Sequence, residues 1–345
     1  MDESKILQVL DENKKVIVEF VQDFLPKGHE VPEIDLLYKM LADYPLRPGK
    51  GLRSMLLLLF CEAFNGDRRR ALPTAVALEL FHNWVLIHDD IEDGSEMRRG
   101  EPVLHRKYGI PLALNAGDAL HGKMWELLVK NRAILGDGKA LTVMEEFIKM
   151  VNQTTEGQHL ELCWVRDGKW DLDESDYYLL CEKKTSWYTC ITPARLGLLI
   201  ADADSKLLDL MVPFGRSLGI AFQLQDDILN LIKGEDKYGK ELAGDLWESK
   251  RTLILIRALS LCNSQERERA LEILNKRREE KREGEVLEVL ELIKRKGAIE
   301  YAAEKAWRFA DEAKSVLDKI LEASHHQEAK NRLKEFIYFM VSRRW

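Results

Sequence analysis

Apolar residues recur at three- and four-residue spacing along most of this chain of 345 residues. Val76, Leu80, Trp84 and Ile87 form one such stripe, and residues 178–188 contain another. Because helical turns bring residues three and four apart onto one face, this spacing predicts amphipathic α-helices. Runs that alternate apolar and polar residues, as strands do, are few. The sequence therefore predicts an all-α fold.

The composition is that of a soluble globular protein, with 46% hydrophobic and 32% charged residues. The most apolar runs, 55–60 and 196–201, are far shorter than the roughly 20 residues of a membrane-spanning helix. The N-terminus carries no apolar signal core, so we expect a cytoplasmic protein without a membrane span. A formal net charge of -7 argues against nucleic acid as a partner, because nucleic-acid-binding proteins usually present a basic face.

The five cysteines are widely separated, and their spacing matches neither a zinc site nor a disulfide framework. Clusters of Gly, Pro, Asn and Asp mark turns, but none resembles a flexible linker between domains. There is no repeat of fixed period. We therefore expect one helical domain over residues 1–345.

Four acidic residues follow directly on an apolar stripe at 86–93, Leu-Ile-His-Asp-Asp-Ile-Glu-Asp. On a helix Asp89 and Asp93 share a face one turn apart, whereas Asp90 lies about 100° around from Asp89. Like charges at this spacing repel, so the helix favours a cation between them. Magnesium takes one or two such carboxylates and fills its other positions with water and phosphate oxygens. A solvated acidic surface is the alternative, and the apolar residues before the acids argue against it.

A second cluster at 222–230, Phe-Gln-Leu-Gln-Asp-Asp-Ile-Leu-Asn, repeats this design. Asp226 and Asp227 follow an apolar helix, and Asn230 supplies a side-chain oxygen about one turn later. Two such helices facing each other would clamp a polyphosphate through divalent metal ions.

Basic residues flank both acidic clusters. They are Lys50, Arg53, Arg98, Arg99, Lys184, Lys240 and Lys250. A cavity that combines metal ions with lysine and arginine suits two diphosphates, one bound through magnesium and the other directly by ammonium and guanidinium groups. For any one lysine the alternative is a solvated surface charge.

The sequence lacks the motifs of several other enzyme classes. The chain has no G-x-x-x-x-G-K-[ST] loop, no G-x-G-x-x-G after a strand and no H-E-x-x-H, which argues against nucleotide hydrolysis, hydride transfer and zinc proteolysis. His88-Asp89 suggests a metal phosphohydrolase, but the further histidines that such a site needs are not suitably arranged.

From about Tyr44 to Leu253 the chain resembles the trans-isoprenyl diphosphate (polyprenyl) synthetase family. Asp89-Asp90-Ile91-Glu92-Asp93 matches the first D-D-x-x-D motif of the family. The other matching segments are Glu79-Leu80-Phe81-His82, Arg98-Arg99-Gly100, Gly117-Asp118, Gly157-Gln158, Lys184-Thr185, Phe214-Gly215 through Gln223, Asp226-Asp227, Gly239-Lys240, Gly244-Asp245-Leu246 and Lys250. The resemblance implies antiparallel helices around a central cavity, a homodimer, and magnesium-dependent head-to-tail joining of isopentenyl diphosphate to an allylic diphosphate.

The resemblance also implies a role for each matched residue. The diphosphate of isopentenyl diphosphate would be bound by Lys50, Arg53, His82 and Arg99. The allylic diphosphate would be held by Arg98, Lys184, Lys240 and Lys250. Magnesium, three ions by this resemblance, would be ligated by Asp89, Asp93 and Asp226. Thr185 and Gln223 would line the place where the allylic cation forms, and with Lys184 and Lys240 they are the predicted catalytic residues.

The chain departs from the family pattern at three positions. Gly51 stands where the motif G-G-K-R-x-R-P has an arginine, although Lys50 and Arg53 are kept. Asn230 replaces the last aspartate of the second motif, which would leave metal binding by that helix to Asp226. Ser249 precedes Lys250 where glycine is common.

Product length follows from the resemblance as well. In this family a large side chain four or five residues before the first aspartate forms a floor under the growing chain. Those positions are Val85 and Trp84, with Phe81 about one turn further down. A single bulky residue there resembles geranylgeranyl-forming enzymes. Farnesyl or longer products are the alternatives, and Trp84 could instead pack in the core or at a dimer contact.

Three other functions compete with this interpretation. A class I terpene cyclase shares the helical fold but uses one diphosphate, and the second set of basic residues argues against it. A non-catalytic subunit of a heteromeric synthase generally loses one aspartate motif, whereas only Asn230 is altered here. An acidic helical scaffold is the third, and thermal stabilisation by magnesium and pyrophosphate would dismiss it.

Overall fold

The computed structural model describes residues 3–47, 49–232 and 243–342. Most of these residues are helical and only four are in strands, which confirms the predicted all-α fold. The α-helices are α1 (Glu3–Phe24), α2 (Pro32–Leu46), α3 (Leu52–Ala63), α4 (Arg68–Glu92), α5 (Leu104–Tyr108), α6 (Ile110–Lys130), α7 (Arg132–Leu135), α8 (Asp137–Arg166), α9 (Glu174–Cys181), α10 (Thr192–Ile200), α11 (Lys206–Ile232), α12 (Gly244–Trp247), α13 (Leu253–Ser260), α14 (Ser264–Leu274), α15 (Glu283–Arg295), α16 (Ala298–Glu322) and α17 (Gln327–Ser342).

A π-helix, a 3-10 helix and two short strands complete the described chain. A π-helix spans Glu182–Ile191 between α9 and α10, and a 3-10 helix spans Arg278–Glu280. Two strands of two residues each, β1 (Met97–Arg98) and β2 (Glu101–Pro102), pair antiparallel just after α4. This hairpin turns the chain back beside the end of α4 that carries the first acidic cluster.

Local signals explain where the helices of the site begin. α4 starts after Asp67, whose carboxylate accepts a hydrogen bond from the backbone N–H of Arg69. α9 starts with a capping box in which Asp173 and Asp176 each accept a backbone N–H of the other. Such caps satisfy N–H groups that have no partner inside the helix. The chain is thereby fixed where it enters two of the helices that lead to the site.

The described helices bury two clusters of apolar side chains. One cluster lies where α11 packs against α16 and includes Phe214. The other lies where α4 packs against α6 and includes Leu80. The helix α3 serves both, because Leu56 belongs to the first cluster and Leu57 to the second. The two motif-bearing helices, α4 and α11, are thus each held by a core of their own.

One helix among the described residues, α11, has the length and apolar composition of a membrane span. Its most apolar 18-residue window is 56% buried inside the fold. It packs on α16 and on the π-helix. A helix that packs against neighbours on several sides has an apolar composition, because most of its side chains are buried.

Candidate active site

A cavity of about 460 Å³ lies among α4, α8, α11, the π-helix and the neighbouring loops. The predicted site residues that line it are Lys50, Arg53, His82, Val85, Asp89, Arg98, Arg99, Lys184, Thr185, Gln223, Asp226 and Lys250. Asp93 is joined to this set by an ion pair with Lys250. Trp84 and Phe81 are not among the lining residues. Lys240 lies outside the described residues.

The first aspartate doublet points in two directions, as helix geometry predicts. Asp89 lines the cavity, whereas Asp90 is fully buried. Asp90 accepts a hydrogen bond from the Tyr44 hydroxyl at 2.6 Å and a pair from the Arg98 guanidinium. Arg98 also lies 3.5 Å from Asp89 Oδ2. Arg98, predicted to bind a diphosphate, therefore anchors the end of α4 and keeps Asp89 in place.

Lys250 lies between two carboxylates at the edge of the cavity. Its Nζ is 2.8 Å from Asp93 Oδ2 and 2.9 Å from Glu248 Oε2. Burial raises the pKa of Asp93 to about 8, and Lys250 opposes that rise. Although burial alone would lower it, the pKa of Lys250 is raised above its usual range by Asp93 and Glu248. Lys250 therefore stays charged and holds the Asp93 carboxyl group at the edge of the cavity.

Lys184 occupies an equivalent position beside Asp89. Its Nζ is 3.3 Å from Asp89 Oδ1 and forms a short ion pair with Glu161 of α8. Burial alone would lower the pKa of Lys184, but Glu161 and Asp89 raise it above its usual range. A charged ammonium group thus stands beside each of the two carboxylates predicted to bind metal on α4.

The second aspartate doublet is divided in a similar way. Asp226 and Asp227 both line the cavity, but Asp227 is 4% exposed and engaged in hydrogen bonds. It accepts them from the Tyr177 hydroxyl and from Gln223 Nε2, both at 2.8 Å. Gln223 Oε1 in turn accepts one from the Thr185 hydroxyl at 2.8 Å. Gln223 and Thr185 are therefore oriented by a chain of hydrogen bonds that begins at Tyr177.

Asn230, the altered position of the second motif, has a structural partner. Its Oδ1 accepts a hydrogen bond from the backbone N–H of Asp245 at 3.1 Å, and its carbonyl accepts one from Ala243 at 3.0 Å. Asp245 lines the cavity with Asp226. Asn230 thus holds in place the segment that brings the Asp245 carboxylate to the cavity.

Aromatic and basic side chains form a second part of the cavity wall. Arg53 Nη2 donates to Thr189 Oγ1 at 3.0 Å, and its guanidinium lies 4.4 Å from the centre of the Tyr188 ring. The His82 ring stacks on the same tyrosine, with centroids 5.9 Å apart. Arg53 Nε and His82 Nδ1 are buried without a hydrogen-bond partner in the described part of the chain. An oxyanion would satisfy Arg53 and, in the Nδ1–H tautomer, His82.

Arg99 and Lys50 extend this basic wall. Arg99 Nη1 donates to the Tyr44 carbonyl at 3.0 Å and to Asn83 Oδ1 at 3.3 Å. Burial, with other arginines nearby, lowers the pKa of Arg99 to about 10, so its guanidinium remains charged at neutral pH. Burial and the charge of Arg53 lower the pKa of His82, which keeps the imidazole neutral.

These side chains fall into two groups, which we name here. The acidic group consists of Asp89, Asp93, Asp226 and Asp245 with Lys184 and Lys250. The basic group consists of Lys50, Arg53, His82 and Arg99. The cavity therefore offers two different ways of binding a polyanion, one through metal ions and lysines and one through direct hydrogen bonds.

The acidic group fits magnesium. Because magnesium completes its coordination with water and phosphate oxygens, it needs one or two protein carboxylates, not a closed cage. Within residues 3–47, 49–232 and 243–342 no three His, Cys, Asp or Glu side chains form such a cage. The side chains that would hold the ion are Asp89, Asp93 and Asp226, and the raised pKa of Asp93 is the mark of a carboxylate that a cation would stabilise.

Lys184 lies on the π-helix, whereas the apolar spacing of residues 178–188 predicts a continuous α-helix. A Cβ at Gly157 of α8 would lie 2.3 Å from the backbone nitrogen of Lys184. A Cβ at Gly219 of α11 would lie 2.2 Å from Ser186 Oγ. Because neither glycine has a Cβ, α8 and α11 both approach the π-helix closely. π-Helical turns occur frequently at functional sites.

The predicted floor residues lie in two layers. Val85 lines the cavity. Trp84 stacks on His121 of α6, with ring centroids 4.0 Å apart and planes 13° from parallel. Phe81 is fully buried and meets Trp84 edge to face, with centroids 5.4 Å apart. Trp84 therefore packs in an aromatic layer next to a lining residue, and its role as a floor stays a prediction.

Three acidic residues that line the cavity, Glu79, Glu161 and Asp245, were not among the predicted site residues, although Glu79 and Asp245 belong to matched segments. Glu79 lies three residues before His82, and its Oε1 accepts a hydrogen bond from Ser54 N at 3.1 Å. Glu161 lies three residues after Gln158. Helical spacing from the matched motifs would have found these two. Helical spacing gives no such signal for Asp245, which lies beyond residues 233–242, but its place in the matched segment Gly244-Asp245-Leu246 does.

Comparison with known proteins adds independent findings. The family model described as polyprenyl synthetase matches residues 34–293. The chain is 32% identical to the geranylgeranyl diphosphate synthase of Sulfolobus acidocaldarius, covering 95% of this chain and 97% of that protein. The crystal structure of geranylgeranyl pyrophosphate synthetase from Pyrococcus horikoshii is similar, with a TM-score of 0.85, 32% identity and coverage of 99% and 100%. A polyprenyl synthase from Caulobacter crescentus, solved with calcium and isoprenyl diphosphate, has a TM-score of 0.84, 25% identity and coverage of 99% and 98%.

Gly157→Ala is expected to displace Lys184 and weaken binding at the acidic group. The new methyl group would meet the backbone of the π-helix, which cannot yield as a flexible side chain can. We expect affinity for magnesium pyrophosphate, measured by calorimetry, to fall about tenfold, with a loss of roughly 1–3 kcal/mol in the free energy of unfolding. Gly138→Ala on the same helix meets nothing within 4 Å and is the control. Wild-type affinity in Gly157→Ala would contradict the assignment of Lys184 to the binding site at the acidic group.

Proposed function

Since this chain belongs to the polyprenyl synthetase family, we propose that its cavity joins isopentenyl diphosphate head to tail to an allylic diphosphate, with geranylgeranyl diphosphate as the product. The chain is a trans-prenyl diphosphate synthase, a transferase of prenyl groups. The observation that carries the proposal is the presence of the acidic group and the basic group in one cavity. A reaction that joins two diphosphates needs a binding site for each of them.

The allylic diphosphate would lie at the acidic group. Asp89, Asp93 and Asp226 would hold magnesium, which when bound neutralises the charge that develops on the leaving pyrophosphate. Lys184 and Lys250 would donate hydrogen bonds to the same phosphate oxygens, because their ammonium groups already lie beside the metal-binding carboxylates. Isopentenyl diphosphate would lie at the basic group, whose unsatisfied N–H groups suit a diphosphate bound without metal.

The chemistry then needs no protein nucleophile. The C–O bond of the allylic diphosphate breaks, its electron pair leaves with pyrophosphate, and an allylic cation remains. The double bond of isopentenyl diphosphate attacks that cation to form the new C–C bond, and the released pyrophosphate takes the proton that is lost. Thr185 and Gln223 would face the cation with oxygen dipoles that their hydrogen bonds hold in place. The surrounding helices must exclude water, which would convert the cation to an alcohol.

A homodimer is part of the proposal. The neighbouring helices α6 and α8 expose apolar side chains that a monomer would leave in water. They include Ile110, Leu112, Leu114 and Val129 on α6 and Leu141 and Ile148 on α8, with exposed fractions between 42% and 58%. Apolar surface of this kind marks interaction sites. Two copies of this face would cover each other.

Mass spectrometry of the reaction products tests the proposed activity. Protein and magnesium would be incubated with isopentenyl diphosphate and dimethylallyl, geranyl or farnesyl diphosphate in turn. We expect a twenty-carbon diphosphate from each primer, and no product after EDTA treatment. Asp89→Asn is expected to lower the rate by at least about a hundredfold, because it removes a metal-binding charge beside the leaving group. Failure to elongate any primer would instead support a non-catalytic subunit.

Trp84→Ala tests the floor. Removal of the indole would open space next to Val85, so we expect a share of products longer than twenty carbons. Trp307→Ala, which removes an indole that is 45% exposed on α16, is the control and should leave the product unchanged. An unchanged product from Trp84→Ala would assign Trp84 to core packing only.

Sedimentation equilibrium tests the dimer. The wild-type protein should have about twice the monomer mass of 39.9 kDa. Ile148→Asp should shift it toward the monomer, because two carboxylates would be buried in a symmetric interface. Leu287→Asp, at an exposed position of α15, is the matched control and should remain dimeric. A wild-type monomer would contradict this part of the proposal.

A further inference from the structure

Ser249 makes a turn that usually requires glycine. Its φ is +56°, in the left-handed region that a side chain disfavours. The backbone N–H of Ser249 donates to the Leu246 carbonyl at 3.3 Å, and that of Lys250 donates to the Asp245 carbonyl at 2.9 Å. These two bonds form the Schellman motif that ends α12, and glycine usually occupies its left-handed position. Lys250 is the next residue, so this turn determines where its ammonium group lies.

Lys281 binds the same turn from the far side. Its Nζ donates to the carbonyls of Leu246 at 2.8 Å and Trp247 at 2.7 Å, and to Ser249 Oγ. The residue is 7% exposed, and these three acceptors account for the three N–H groups of its ammonium. It follows directly on the 3-10 helix and is not among the residues that line the cavity.

The remaining polar atoms of Ser249 are also held. Its hydroxyl donates to the Leu274 carbonyl, and its own carbonyl accepts a hydrogen bond from Arg251 Nη1. Arg251 is 2% exposed and lies over the Trp170 ring, 4.0 Å from its centre. A glycine in this position would have no hydroxyl for Lys281 or for the Leu274 carbonyl. The two hydrogen bonds of the hydroxyl are therefore absent from a chain with glycine at this turn, whereas the bonds from Lys281 to the Leu246 and Trp247 carbonyls do not depend on the side chain.

We propose that Lys281 is a positioning residue for the transfer reaction, which together with the Ser249 hydroxyl holds the left-handed turn that directs Lys250 toward Asp93 and the allylic diphosphate. The inference rests on the proposed role of Lys250 in binding that diphosphate. Lys281 acts through the turn, since its contacts are with Leu246, Trp247 and Ser249.

A double-mutant cycle tests this coupling. Lys281→Met keeps the length of the side chain and removes its donors. We expect about a tenfold rise in KM for the allylic diphosphate and in the dissociation constant of magnesium pyrophosphate, with KM for isopentenyl diphosphate unchanged. Ser249→Gly introduces a residue that adopts the left-handed turn without support from a hydroxyl. In the Ser249→Gly background, Lys281→Met should raise the same KM and the same dissociation constant by less than about threefold.

The controls separate this inference from the proposed function. Lys276→Met removes another lysine of the same connection, one that pairs with Glu285, and should leave all constants unchanged. Equal losses from Lys281→Met in the serine and glycine backgrounds would overturn the coupling through Ser249. If Lys281→Met does not fold, Ser249→Ala should weaken magnesium pyrophosphate binding where Ser249→Gly does not, and equal binding would overturn the inference. An inert wild-type protein would overturn the proposed function instead.

Discussion

The cavity depends on keeping several carboxylates close together without water around each of them. Burial raises the pKa of Asp93, and the neighbouring Asp89 and Glu248 raise it further, so such an arrangement is stable only with cations among the carboxylates. Lys184 and Lys250 supply those cations from two separate segments of the chain. Much of the local structure serves to deliver these two ammonium groups: the π-helix with its glycine neighbours presents one, and the turn after α12 presents the other.

The two aspartate doublets share a design in which adjacent residues have different tasks. Asp89 and Asp226 line the cavity, and their neighbours Asp90 and Asp227 accept hydrogen bonds from tyrosine hydroxyls, although Asp227 lines the cavity as well. Because neighbouring residues on a helix lie about 100° apart, one carboxylate can anchor the helix while the other remains available to a ligand. The anchoring member also holds a functional partner, since Asp90 binds Arg98 and Asp227 binds Gln223. The metal-facing residues are therefore positioned by side chains that need not touch a ligand.

Much of the fold and of the site could be predicted from the sequence because both depend on local spacing. Apolar periodicity predicted the helices, and the direction of Asp89 against Asp90 followed from helix geometry alone. The π-helix could not be predicted, because it depends on how closely Gly157 and Gly219 let neighbouring helices approach. The partner of Asn230 and the support of Ser249 were equally hidden, since both lie on segments distant in the sequence. At these positions tertiary contacts, not local propensity, determine the conformation.

The π-helix also has a consequence for how this segment tolerates insertions and deletions. A π-helical turn accommodates more residues than an α-helical turn of the same length, so its residue count sets the rotational phase of everything that follows. Deleting one residue within 182–191 would narrow a wide turn toward an α-helical one, and α10 could then keep its orientation only if side chains within the segment turned away from their present directions. Lys184, Thr185 and Tyr188 could then no longer all face the cavity while α10 kept its packing against α3. Substitutions in this segment can be absorbed one at a time, whereas a change in its length would alter the site and the core together.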